Sequence, residues 1–407
     1  MSSKAPYLRR FLLFALFLLP LQSMSLRADT VDTDPLNRTP EVREAFARFY
    51  LLDYDGAVAR FENIRAAHPG DPLATAYVLH ARLFRELYRL DLLDTTFYAN
   101  DGFLTGKHTV VEDPKVRDEI KALSDQSVNE ANALLKNNSN NIDALFARGW
   151  ARSLDAVYLA MVERNFGPAL RMALGARSDH DKVLQLDPRY DDAKMVVGIY
   201  QYVIGALPFG FKLLVGFAGI TGSKTKGMEL LQDAANHAVL TSVEARTAMM
   251  LFLRREAKYP QAQQMARDLS TQYPHDFLFL LEDANLEKDA GQGLKAIGSY
   301  QAILVDAKKP GFFYNPHLEL AYFGLGDTLR GQNMYGDAAK AFLAGSQQPT
   351  TSPELKRRCL LAAGQTYDLM HDHTEARVEY QAVLANGANT VQGDQAKKFL
   401  KTPYSNH

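Results

Sequence analysis

Three stretches of this 407-residue chain carry residue types that could do chemistry, and each lacks a part that the chemistry needs. Residues 216–225 read GFAGITGSKT, with the glycines of a phosphate-binding loop. In such a loop a lysine follows glycine directly, so that its ammonium reaches the β- and γ-phosphates. Here Ser223 separates Gly222 from Lys224, and the preceding residues are patterned as helix rather than strand, so a glycine-rich turn opening a helix fits better. Gly291, Gly293 and Ala296 have the G-x-G-x-x-A spacing of a dinucleotide turn, but no strand precedes them to build a pyrophosphate crevice. His371, Asp372 and His373 could begin a metal site, yet no third and fourth ligand is evident, and solvated turn residues are the plainer meaning. HExxH, CxxC and GxSxG are absent. The sequence predicts no catalytic residues, no metal and no cofactor; an enzyme would need a site assembled from residues far apart in the chain.

Bulk properties narrow the classes further. Cys359 is the sole cysteine, so no internal disulfide can form, and its apolar surroundings (Cys359, Leu360, Leu361) predict buried packing. Residues 1–28 have the pattern of a secretory signal: Lys4, Arg9 and Arg10, an apolar run from Phe11 to Leu21, and a cleavage edge near Ala28. That run is too short to span a bilayer core of roughly 30 Å, which predicts cleavage rather than anchoring, and the plain signal with the cysteine usage predicts a periplasmic product. The chain has a net charge of −1, and residues 1–28 hold four basic and no acidic groups, so the mature form would carry −5. A mildly acidic surface offers no global field for nucleic acid.

The elements that would position any site are helical. Strand-like alternation is nearly absent, and Ala, Leu, Glu, Lys and Arg recur in long runs. In the C-terminal half a small-then-bulky signature repeats: Ala262 with Ala266 and Leu269, Ala296 with Tyr300 and Ile303, Ala338 with Phe342, Ala376 with Tyr380 and Val383. The leading alanines lie 34, 42 and 38 residues apart, and extra residues at 308–316 account for most of the longest interval. A period near 34 means stacked helix hairpins, since one hairpin cannot bury its own apolar face. Ala57, Phe61 and Ile64 echo the signature, so the array begins near residue 40. The organisation predicted is a signal at 1–28, an atypical helical array at 40–240 with inserts at 94–114 and 205–223, and a regular array at 241–400, followed by a polar, fraying tail. Asp191 or Asp192 is expected to cap the helix that follows. Residues 196–220 contain one charge, Lys212, but Gly205, Pro208, Gly210, Gly216 and Gly219 break them up. Buried packing between repeats is expected there, with a docking surface for a membrane or partner as the alternative.

These residues resemble the tetratricopeptide repeat superfamily. Tyr322, Gly326, Leu329, Ala338 and Phe342 occupy its consensus places in one copy, and Leu360, Gly364, Tyr367, Ala376 and Tyr380 in the next. From Gly198 through Pro208 and Gly216 to Gly227 and Leu231 the chain is distantly similar to the eukaryotic inclusion-body-clearance branch of these proteins. The resemblance implies an all-α, right-handed superhelical solenoid of antiparallel hairpins, with two irregular insertions. It further implies a scaffold for a protein or peptide partner, which the plain signal and the cysteine usage place in the bacterial cell envelope; a peripheral membrane or envelope-assembly factor docking through 196–220 is the alternative. Counting from the consensus phase puts Arg254, Asn285, Asp289, Asp327, Arg330, Gln365 and Asp368 on the inner face, suited to an extended backbone or a terminal carboxylate. Phe97, Tyr98 and Phe103 of the first insert would form either a lid over the core or an anchor cluster for a partner.

Overall fold

The computed structural model describes residues 32–99, 112–208, 216 and 220–405, which are helical with no strand among them. In this described part seventeen α-helices form eight antiparallel hairpins and a terminal helix. The first four hairpins pair α1 (Pro40–Phe49) with α2 (Tyr54–Ala67), α3 (Pro72–Arg89) with α4 (Pro114–Asn137), α5 (Ile142–Met161) with α6 (Phe166–Leu186), and α7 (Asp192–Ala206) with α8 (Lys224–His237). The last four pair α9 (Ser242–Arg255) with α10 (Tyr259–Gln272), α11 (Phe277–Asp289) with α12 (Gly293–Asp306), α13 (Leu318–Gly331) with α14 (Tyr335–Ser346), and α15 (Pro353–Leu369) with α16 (His373–Ala385). Helix α17 (Val391–Lys401) closes the array. Both irregular stretches fall between the two helices of a hairpin, after α3 and after α7.

Local sequence explains the boundaries. Pro40, Pro72, Pro114, Pro260 and Pro353 lie in first turns, where a missing N–H costs nothing. Asp53, Asp71, Asp113, Asn141 and Asp276 accept hydrogen bonds from free N–H groups of the helices they precede. First helices end in one recurring turn. Leu52, Asp91, Ala257, Gly291, Asn333 and His371 have positive φ, and the next residue's N–H returns to a carbonyl five positions earlier, as in Leu92 N to Leu87 O at 2.8 Å and Met334 N to Leu329 O at 2.9 Å. Only one of the six is glycine, which hid the recurrence from a search for Gly stops. The aromatics of the repeat signature fill the close approaches. A Cβ on Gly326 would meet the Phe342 ring at 2.7 Å, and one on Gly364 the Tyr380 ring at 2.6 Å.

Two expectations are corrected. Asp191 holds the N-cap position of α7, but neither its side chain nor that of Asp192 makes a capping bond there. The Asp192 side chain is fully buried and accepts from Leu240 N at 2.7 Å and Thr241 N at 2.9 Å, so it serves the start of α9 instead. The tail after Leu400 does not simply fray: the Tyr404 N–H donates to Asp368 Oδ2 at 2.7 Å and its ring meets Phe399. A buried carboxylate needs donors, and the tail supplies one.

The array is also less one-dimensional than a simple solenoid. Tyr50 of the first hairpin donates to Glu244 of α9 at 2.8 Å and packs on Tyr273 after α10. Tyr88 donates to the carbonyl of Asn315 at 2.9 Å, in the loop that lengthens the 42-residue interval. One buried apolar cluster accordingly runs from Leu36 to Ala363.

Asp276 gives a pH prediction. It caps α11 through Leu278 N and Phe279 N, yet burial outweighs these bonds and pushes its carboxyl up to about 7. A folded-state value above the unfolded one of 3.8 contributes stability that is complete below about 4, declines as pH rises, and is lost above about 7. Asp276→Asn keeps the cap and removes the ionisation. Its melting temperature should gain on the wild type between pH 5 and pH 8; a pH-independent difference would contradict this.

Candidate functional site

The last turns of α9, α11, α13 and α15 share a register, and their polar side chains meet across successive hairpins. Arg254 Nε donates to Asp289 Oδ2 at 2.7 Å, 35 residues on, and Arg330 Nη1 donates to Gln365 Oε1 at 3.2 Å, also 35 residues on. Between them Lys288 Nζ lies 3.6 Å from Asp327 Oδ2, and Arg330 Nη2 donates to Asp327 Oδ1 at 2.9 Å. Side chains one repeat apart thus form a ladder, because stacking brings equal registers of the first helices alongside each other.

The two ends of the ladder are covered by the chain itself. At one end Arg254, its side chain 2 % exposed, bonds Thr95 Oγ1 at 2.8 Å and Glu282 at 3.3 Å. Arg255 Nη1 donates to the backbone carbonyl of Tyr98 at 2.8 Å. Asn285 is buried, accepts from Tyr300 OH at 2.6 Å and reaches Asp94 Oδ1 at 3.5 Å. Burial, opposed by the Arg254 charge, raises the Glu282 carboxyl to about 7. At the other end Asp368 is buried and accepts from Tyr380 OH at 2.7 Å, His373 Nδ1 at 2.8 Å and the Tyr404 backbone. Between these ends Lys288, Asp327, Arg330 and Gln365 are partly exposed. A depression there is lined by Lys288, Gly291, Asp327, Arg330, Gln332 and Tyr404.

The seven residues predicted for the inner face therefore divide. Arg254, Asn285 and Asp368 are enclosed by the chain's own segments, Asp289 is tied to Arg254, and Asp327, Arg330 and Gln365 remain open. Sequence reasoning missed Glu282, which stands one helical turn before Asn285 and was recoverable from periodicity. It also missed Thr95 and Tyr404, for which no local signal existed. In the first insert, Thr95–Tyr98 is a short 3-10 helix, and Tyr98 OH donates to Leu92 O at 2.8 Å. Phe103 and the Phe97 side chain lie outside the described residues.

Of the two turn histidines, His373 is tied down through its Nδ1, which bonds Asp368. Cys359 is a buried free thiol whose value burial raises to about 12. Of the apolar stretch, residues up to Ala206 belong to α7, where Val196, Val197, Tyr200, Tyr202 and Ile204 are buried. Residues 209–215 and 217–219 lie outside the described residues. No described helix is long and apolar enough to cross a membrane.

No family model matches the chain, and no curated protein matches it. Solved structures do. In the anaphase-promoting complex hetero-tetramer Cut9–Hcn1, the matched chain is 14% identical, with 91% of this chain and 57% of that one covered and a TM-score of 0.48. This chain thus spans little more than half the length of that relative. The Pseudomonas aeruginosa PilF structure is 15% identical over 63% of this chain and 96% of that one, at a TM-score of 0.41. A tetratricopeptide repeat protein from Parabacteroides merdae is 14% identical over 79% and 97%, at 0.35. These likenesses, all at low identity, concern the arrangement of helices alone; the hairpin array itself rests on this chain's own helix pairing, described above.

Proposed function

We propose that this protein is a scaffold whose inner face, between Lys288 and Gln365, binds an extended protein or peptide segment. One observation carries this. The same face already holds peptide backbone at both ends, where Arg255 takes the Tyr98 carbonyl and Asp368 takes the Tyr404 N–H. Side chains spaced one repeat apart are suited to a strand that runs across the hairpins and presents donors and acceptors in turn. The open middle offers both signs of charge, Arg330 and Lys288 beside Asp327, so the occupant is a polar segment rather than an apolar helix.

The basic start, apolar run and small residue at Ala28 support export to the periplasm of a Gram-negative cell as the setting. Protein recovered from its native envelope should begin at Asp29; an intact Met1 would contradict export. For the binding role, crosslinked capture from that envelope should lose at least about tenfold of the specific partner on Arg330→Glu, as expected for an interface arginine. Equal recovery by the variant, with its melting temperature unchanged, would overturn the proposal.

A further inference from the structure

Away from the ladder, three ionisable side chains converge from distant parts of the chain. His317 Nδ1 lies 2.7 Å from Asp91 Oδ1 and 3.7 Å from Glu319 Oε1, and one ligand atom from each residue falls within 4.8 Å of the others. All three side chains are buried, at 8 % exposure or less. Asp91 stands in the turn after α3, while His317 and Glu319 open α13, 226 residues later.

We propose that Asp91, His317 and Glu319 form a binding site for one divalent transition-metal ion of the Zn²⁺ class, which pins the second hairpin to the seventh. Four features of the site support it. First, Glu319 Oε1 is fully buried and has no hydrogen-bond partner, although it faces the His317 nitrogen. A carboxylate oxygen left so is costly, and a cation is the partner it lacks. Its other oxygen is already fixed by Thr350 Oγ1 at 2.6 Å, so Oε1 is the atom left to coordinate.

Second, two carboxylates face one imidazole, and among the described residues no lysine or arginine pairs with Asp91 or Glu319. Ionised, the pair would hold uncompensated negative charge in a buried place, and burial pushes the Glu319 carboxyl up accordingly. A dication with neutral imidazole balances it. Third, the spacing suits a metal. Two ligands each about 2.1 Å from one ion stand roughly 3–4 Å apart, so sub-ångström shifts would complete the set. One nitrogen and two oxygens match Zn²⁺ and its neighbours better than Ca²⁺, which takes oxygen alone. Fourth, the imidazole is held in place: its ring packs against Tyr88 at a tilt of 33° with centroids 4.1 Å apart, and Tyr88 is itself anchored to the Asn315 carbonyl. Three protein ligands leave a fourth position for water or a partner's side chain.

The test uses the full chain, stripped with chelator, titrated with Zn²⁺ and measured after gel filtration, with Co²⁺ absorption reporting the ligand set. About one equivalent per chain is expected, with a rise in melting temperature. Glu319→Gln and Asp91→Asn, both near-isosteric, should each weaken binding at least about tenfold and abolish the Co²⁺ band. Retained helicity by circular dichroism in either variant shows that the loss is not unfolding. No bound metal in the wild type, or unchanged stoichiometry and spectrum in both variants, would overturn the site and leave a hydrogen-bonded His–Asp clamp in its place.

Discussion

Arg254→Ala is expected to cost about 3–5 kcal/mol of stability, because it leaves an ion-pair cluster with no cation in a buried site. The guanidinium is enclosed, and it spends its donors on Asp289, Glu282 and Thr95. Without it Glu282 and Asp289 face each other across a cavity, and the Thr95 segment loses its hold on α9. The loss should also depend on pH. Glu282 already sits near 7 through burial, with Arg254 pulling it down, so removing Arg254 moves it further up. Protonation then relieves the variant at low pH, and the deficit should be smaller at pH 5 than at pH 8. Denaturant unfolding at both values measures this. A loss below about 1 kcal/mol would mean that the cluster behaves as a solvated surface pair.

The second large effect concerns the crossing of α7 and α8. A Cβ placed on Gly227 would lie 2.6 Å from the Tyr202 nitrogen and 2.7 Å from the Gly198 carbonyl. Both are backbone atoms, so no side chain can swing aside. The helices must part, disturbing the Tyr202–Phe252 stack, whose rings are 3.7 Å apart. Gly227→Ala should therefore destabilise the protein by about 2–3 kcal/mol, in the range of core overpacking. Gly298, inside α12, is the matched control, because a Cβ placed there would meet nothing within 4 Å. There Gly→Ala should stabilise by ~0.5–1 kcal/mol through helix propensity. Thermal melts of the pair decide it: equal shifts of one sign would show that close approach is not what Gly227 serves.

The repeat frame was legible because its determinants are local. Ala338 and Phe342, or Ala376 and Tyr380, lie one helical turn apart, and each pair touches its own hairpin or the next. The inner-face register was legible for the same reason: Arg254 and Asp289 stand one period apart, as do Arg330 and Gln365. What could not be read were contacts between distant segments. Nothing around Thr95 or Tyr404 announces that these residues lie on the ladder, and nothing in the spacing of Asp91 and His317 joins them. The expectation that Asp191 or Asp192 caps α7 held for position but not for bonding, since the Asp192 carboxylate turns to the Leu240 and Thr241 N–H groups that lead into α9. The recurring first-helix turn was hidden because Leu52, Asp91, Ala257, Asn333 and His371 hold a backbone conformation that usually signals glycine.

The binding face is tested most directly by placing a photocrosslinking amino acid at single positions and irradiating native cells. Positions 327 and 365 lie on the open stretch of the ladder, whereas Lys340 lies on α14 with its side chain 80 % exposed. The scaffold account predicts a discrete adduct of one size from 327 and 365, none from 340, and its disappearance when Arg330→Glu is added. Adducts from 340 but not from 327 or 365 would contradict it.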